Sequence, residues 1–122
     1  MLIYYDSLTG NVKRFTEKLN RKSKKIEEGL LVNTPFIFIT YTTGLGKIPD
    51  NSTRFLQNNR HYLKAVASSG NKNFGTYYGM AANLIAREYN VPVLSTFELS
   101  GTPTDVEYFI KEVEKIETYR TK

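Results

Sequence analysis

Short apolar runs alternate with amphipathic stretches along this chain. Leu2 to Tyr5 is apolar. Val12, Phe15 and Leu19 then recur at spacings of three and four, predicting a helix from about Asn11 to Asn20. Residues 21–34 are polar, and Lys24 to Glu27 reads as a short strand that must sit at a sheet edge. Phe36 to Tyr41 is continuously apolar and rich in β-branched and aromatic residues, as expected of a central strand covered on both faces. A loop, Thr42 to Pro49, leads to a helix from Pro49 to His61, with Phe55, Leu56 and Tyr62 near one side. Leu63 to Ser69 predicts the fourth strand and residues 70–75 a further loop. A helix over Thr76 to Tyr89 would turn Tyr77, Ala81, Leu84 and Ile85 inward. Pro92 to Leu99 predicts the last strand. Thr104 and Glu107 have capping-box spacing ahead of a helix striped by Val106, Phe109, Ile110, Val113 and Ile116.

Strands alternating with helices imply βαβ units and a parallel sheet. Right-handed crossovers leave few topologies. The doubly wound five-strand order 2-1-3-4-5 puts the polar second strand at an edge and Phe36–Tyr41 in the centre. The expected fold is therefore α/β, a three-layer sandwich over a single domain, residues 1–122. That order also brings loops 6–11, 42–49 and 70–75 together at the switch point, where such sheets bind ligands.

The chain has 122 residues, of which 40% are hydrophobic and 24% charged, an ordinary globular composition. It has no cysteine, which excludes disulfides, thiolate nucleophiles and Cys-bound metals. His61 is the single histidine, so a His-rich metal site is excluded too, and it reads as a surface residue. No segment approaches the length of a membrane span, and Met1 leads straight into a strand; a cytoplasmic protein without membrane attachment is expected. The net charge is +5. Lys13, Arg14, Lys18, Arg21, Lys22, Lys24 and Lys25 crowd one segment, opposed there by Glu17. They read as a solvated helix face and edge strand in preference to a patch for an acidic partner or nucleic acid.

Ser7-Leu8-Thr9-Gly10-Asn11 joins the first strand to the first helix. Such a junction aims backbone N–H groups and the positive end of a helix dipole at one spot, where anions bind. Ser7, Thr9 and Asn11 add short polar side chains, and Gly10 accepts φ > 0. The loop lacks the lysine of a Walker A motif and the three glycines of a dinucleotide fingerprint, so no cation is expected inside the turn. The alternative is an ordinary turn in which Thr9 or Asn11 caps the helix. The other two loops offer glycine backbone, the amides of Asn71 and Asn73, and an aromatic ring, Phe74. Together they suit a flat heteroaromatic ring with a phosphate tail.

Four segments carry a resemblance: Ser7–Asn11, Thr42-Thr43-Gly44-Leu45-Gly46-Lys47-Ile48-Pro49, Ala67–Gly75, and Phe97-Glu98-Leu99-Ser100-Gly101-Thr102. As a set, they resemble the NrdI family of small flavodoxin-like proteins that serve class Ib ribonucleotide reductases. The resemblance spans essentially the whole chain. It implies FMN as cofactor, and a reduced flavin that reacts with molecular oxygen. The resulting oxidant would let the reductase small subunit assemble its dimanganese–tyrosyl radical cofactor. An unidentified reductant would supply the electrons.

By position, Ser7, Leu8, Thr9, Gly10, Asn11 and Val12 would hold the phosphate. Thr42, Thr43, Gly44, Leu45 and Gly46 would border the ring, and Asn71, Asn73, Phe74, Gly75 and Leu99 would close the other side. Relatives usually carry Trp at the place of Phe74 and Phe at that of Leu45, and a smaller ring stacks less area. Reduction turns flavin N5 from acceptor to donor, so a neighbouring peptide must turn its carbonyl; Gly44 is the residue expected to flip. Loops 42–49 and 70–75 hold Lys47 and Lys72 and no acid, which favours a fully reduced anionic flavin. A receiver domain needs an Asp where this chain has Thr40-Tyr41, and a tyrosine phosphatase needs the absent cysteine. A general electron-transfer flavodoxin and a non-catalytic phospholigand module remain as alternatives.

Overall fold

Leu2–Tyr5 (β1) is followed by α1 (Asn11–Lys18), β2 (Ser23–Lys25), β3 (Phe36–Tyr41) and α2 (Asp50–Asn59). β4 (Leu63–Gly70), α3 (Met80–Tyr89), β5 (Val93–Glu98) and α4 (Pro103–Thr121) complete the chain. This computed structural model describes residues 1–44 and 46–121, with the side chains of all but residues 74, 76 and 119–121. The five strands form one sheet of order β2-β1-β3-β4-β5. Every pairing is parallel, as the sequence pattern predicts.

The continuous apolar runs are explained by burial on both faces. Successive side chains of a strand point to opposite sides. Ile37 and Ile39 therefore meet α1 and α4, through Phe15, Leu19, Phe109 and Val113. Phe36 and Phe38 meet α2 and α3, through Phe55, Leu56, Ala82 and Ile85. On the first face Phe15 stacks on Phe97, with ring centroids 3.7 Å apart and planes 10° off parallel, and Phe109 stands edge-on to Phe15. All three rings are fully buried.

Four details differ from the sequence pattern. The edge strand is Ser23–Lys25, not Lys24–Glu27. Its register with β1 ends at Tyr5↔Lys25, so Glu27 has no strand left to pair with. α3 begins at Met80, not at Thr76: Gly75 (φ 59°) and Gly79 (φ 67°) interrupt the segment, and Lys72–Tyr77 is a 3-10 turn. Tyr77 is thus outside the helix and 38% exposed, and Leu84 is only half-buried, whereas Ala81 and Ile85 are fully inside. Tyr62 lies in the 3-10 turn after α2, also exposed. The capping box is Thr102 with Asp105, not Thr104 with Glu107. Asp105 N–H donates to Thr102 Oγ1 at 3.1 Å and Thr102 N–H to Asp105 Oδ2 at 2.9 Å. Pro103 then takes the first helical position, where a missing N–H costs nothing.

Phe97→Ala removes a fully buried ring stacked on Phe15. It is expected to lower the urea unfolding free energy by about 3–5 kcal/mol. A loss under about 1 kcal/mol would contradict this packing.

Candidate functional site: the carboxyl rim of the sheet

Because all strands run the same way, β1, β3, β4 and β5 end at one edge. The backbone ladder continues one residue past β1, β3 and β5. Asp6 N–H donates to Ile39 O at 3.0 Å, Thr42 N–H to Ser69 O at 3.1 Å, and Leu99 N–H to Gly70 O at 2.9 Å. Short side chains tie the loops beyond. Ser69 Oγ donates to Leu99 O at 2.6 Å, and Ser68 Oγ to Gly79 O at 3.0 Å while accepting from Ala82 N–H. Asp6 is 3% exposed. Its Oδ2 accepts from Ser52 Oγ at 2.8 Å, and Ser52 meets Thr40 Oγ1 at 2.7 Å, joining the ends of β1 and β3 to α2.

The first loop turns through Gly10, the N-cap of α1, at φ 93° and ψ −5°, a conformation that favours glycine. Neither Thr9 nor Asn11 caps the helix; no side chain caps it through the N-cap position. Ser7 Oγ accepts from Lys13 N–H at 3.3 Å, and the Val12 side chain is buried in the core, so Val12 can offer a ligand only its backbone. Leu8 is 76% exposed and Thr9 is also exposed. The helix end is therefore open towards solvent, ringed by hydroxyl and amide groups.

A cation from α1 lies against this loop. A Cβ placed on Gly10 would be 2.7 Å from Arg14 Nη1. Arg14 donates to Asn11 Oδ1 at 2.7 Å and to Ser100 Oγ at 3.0 Å. Lys18 Nζ reaches the carbonyls of Ser100 and Gly101, each at 3.0 Å. The crowded basic segment is thus partly spent on tying α1 to the loop after β5. Sequence reading missed Arg14, Lys18 and Ser100 in this role. The one signal was an arginine four residues after Gly10, on the same helix face.

In the second loop Thr43 and Lys47 pair reciprocally, N–H to O, at 2.9 and 2.8 Å, closing a tight turn. Leu45, given above to the ring site, lies outside the described residues. The Thr42 hydroxyl accepts from Ala81 N–H at 3.3 Å and so serves the start of α3. Gly46 packs under the third loop: a Cβ there would be 2.9 Å from Met80 Sδ and from Tyr77 Cδ1. Around Gly44 (φ 49°) and Gly75 (φ 59°), by contrast, no described residue beyond the chain neighbours comes within 4 Å of a placed Cβ. Asn71 Oδ1 accepts from Asn73 N–H at 2.9 Å, an Asx turn that starts the 3-10 segment. The Phe74 side chain lies outside what is described.

The charge balance is less one-sided than the two loops suggest. Glu98, at the end of β5, accepts from Lys72 N–H at 3.1 Å, which brings a carboxylate to the third loop. Lys72 Nζ stands 6.0 Å over the Tyr78 ring. Below the second loop, Tyr41 borders an open cleft of about 540 Å³ with Lys47 and Arg54. Burial first, and then the Asp6 carboxylate, push the Tyr41 hydroxyl above its ordinary pKa.

The three glycine loops and the loop after β5 thus meet along one continuous rim. The family described as NrdI flavodoxin-like matches residues 3–111. The chain belongs to the NrdI flavodoxin-like family. Curated relatives named protein NrdI agree. That of Bacillus licheniformis is 45% identical over 95% of this chain and 89% of its own length. That of Macrococcus caseolyticus is 45% identical over 100% of this chain and 95% of its own. The SPbeta prophage-derived protein NrdI of Bacillus subtilis is 39% identical, over 97% of this chain and 95% of its own. Among solved structures, a short-chain flavodoxin associated with a PDU bacterial microcompartment superposes with TM-score 0.72 at 16% identity, covering 96% of each chain. Two-electron reduced Megasphaera elsdenii flavodoxin gives 0.64 at 14% identity, over 94% of this chain and 99% of its own. These two share the fold. Family and fold together imply a flavin cofactor. No helix among the described residues is long and apolar enough to cross a membrane.

Gly44 and Gly46 separate in their sensitivity to substitution. Gly44→Ala meets only the left-handed backbone penalty and is expected to cost about 1–2 kcal/mol in urea unfolding. Gly46→Ala adds a clash with Met80 and Tyr77 and is expected to cost more; equal costs would contradict the packing of the second loop on the third.

Proposed function

We propose that this protein binds FMN at the carboxyl rim and serves a class Ib ribonucleotide reductase. The observation that carries the reading is a family match over nearly the whole chain, on a fold whose α1 starts from a glycine N-cap, with no side-chain cap there, and opens into the Ser7–Asn11 loop. The donor set fits the cofactor. Backbone N–H groups, two hydroxyls and the Asn11 amide suit a phosphate monoester, and open space at Gly44 and Gly75 leaves room beside a ring. When bound and reduced, FMN supplies electrons to molecular oxygen, giving the oxidant with which the reductase small subunit assembles its dimanganese–tyrosyl radical cofactor.

In this reading the chain binds, orients and adjusts. Ser7, Leu8, Thr9, Gly10, Asn11 and Val12 hold the phosphate, the last through its backbone alone. Thr42, Thr43, Gly44, Leu45 and Gly46 border one side of the ring, and Asn71, Asn73, Phe74, Gly75 and Leu99 the other. The Gly44 peptide would turn its carbonyl towards a bound ring that gains a proton; among the described residues outside its chain neighbours, nothing lies within 4 Å of a Cβ placed on Gly44. Lys47 and Lys72 add positive potential, which the nearby Glu98 carboxylate partly offsets. The electron donor is a cellular flavin reductant, and the setting is the cytoplasm.

Two measurements test this. The purified protein mixed with FMN is expected to show a bound-flavin absorption spectrum that bleaches on anaerobic reduction and returns in air. The reduced protein with oxygen is expected to raise the tyrosyl-radical resonance signal of a manganese-loaded class Ib small subunit. Absence of flavin uptake would overturn the whole reading. Flavin uptake without radical formation would favour a general electron-transfer flavodoxin.

A further inference from the structure

Arg14 is not among the loop residues just named, yet it dictates how one of them can act. Its Nη2 donates to Asn11 Oδ1 at 2.7 Å, and its Nε donates to Ser100 Oγ at 3.0 Å. The Ser100 hydroxyl donates in turn to the same Asn11 Oδ1 at 2.8 Å. A guanidinium carries only donors, so the Asn11 atom that it meets must be the amide oxygen. The amide orientation is therefore determined: its oxygen is consumed twice, and its NH2 is left to donate elsewhere. No hydrogen bond among the described residues takes those two N–H groups. Asn11 is the first residue of α1, where an anion would sit, and a phosphate offers only acceptors there. Lys18, holding the carbonyls of Ser100 and Gly101, keeps Ser100 in place.

We propose that Arg14, with Ser100, is a positioning residue of the phosphate site, locking Asn11 with its amide NH2 free for the phosphate. The proposal rests on the flavin reading above. The role requires the two-pronged fork of arginine rather than its charge alone. Without that fork the amide is free to flip and present its oxygen to the anion.

Flavin-fluorescence titration of the flavin-free protein tests it, with FMN and with riboflavin, which lacks the phosphate. Arg14→Met is expected to weaken FMN about tenfold and to change riboflavin less than about twofold. Arg14→Lys keeps the charge and is expected to stay within about threefold of Arg14→Met. In an Asn11→Ala background, Arg14→Met is expected to cost nothing further. Ser100→Ala, which leaves the arginine in place, gives the same FMN-selective loss to a smaller degree and serves if Arg14→Met does not fold. Equal losses for FMN and riboflavin, full rescue by lysine, or additive losses with Asn11→Ala would each overturn the proposal. Should the wild type take up no flavin yet bind inorganic phosphate more tightly than Arg14→Met, the flavin reading falls and the positioning role stands. Binding of neither FMN nor phosphate by the wild type overturns both.

Discussion

Parallel strand pairing is the constraint on which the rest depends. Each of the four pairings in the sheet is parallel, so each return from one strand to the next must cross over a face. The helices are thereby divided, α1 and α4 to one side and α2 and α3 to the other, and both faces of β3 become core. The same constraint delivers the ends of β1, β3, β4 and β5 to one edge. The loops there are close neighbours because the order β2-β1-β3-β4-β5 reverses direction between β1 and β3.

Loops gathered at a sheet edge bring backbone groups that water reaches poorly, and these need partners. This chain supplies them with short polar side chains. Ser68 and Ser69 are buried on the interior strand β4 and reach the carbonyls of Gly79 and Leu99. Asp6, Ser52 and Thr40 join three elements beneath the first two loops. The Thr42 and Asn71 oxygens are taken up by neighbouring N–H groups. Many of the rim's polar side chains are thus engaged in holding the loops. Asn11 Oδ1 is bound within the protein by Arg14 and Ser100, while no hydrogen bond among the described residues takes its NH2.

Most of the architecture was legible in the sequence, because burial on two faces writes long apolar runs and helices write stripes. The run Phe36–Tyr41 and the stripe Val106, Phe109, Ile110 and Val113 needed no further information. Element starts were harder where backbone conformation, not periodicity, decides. The positive φ at Gly75 and Gly79 delays α3 to Met80, and nothing in the spacing of Tyr77 and Ala81 signals it. Thr102 with Asp105 and Thr104 with Glu107 carry the same spacing, and only the position of Pro103 separates them. At the site, the glycine loops could be read directly. The tie from Arg14 to Ser100 could not, since it joins residues 86 apart that meet only once the sheet has formed. For the same reason the Glu98 carboxylate on Lys72 was invisible in the composition of the loops themselves.

The central claim is spatial: one flavin nucleotide gripped by three turns at a single edge of the sheet. A crystal structure of the protein grown with excess FMN tests it most directly. The account predicts the phosphate inside Ser7–Asn11 and the ring between Thr42–Gly46 and Asn71–Gly75. Flavin density at any other surface, or an empty rim under saturating FMN, would contradict it.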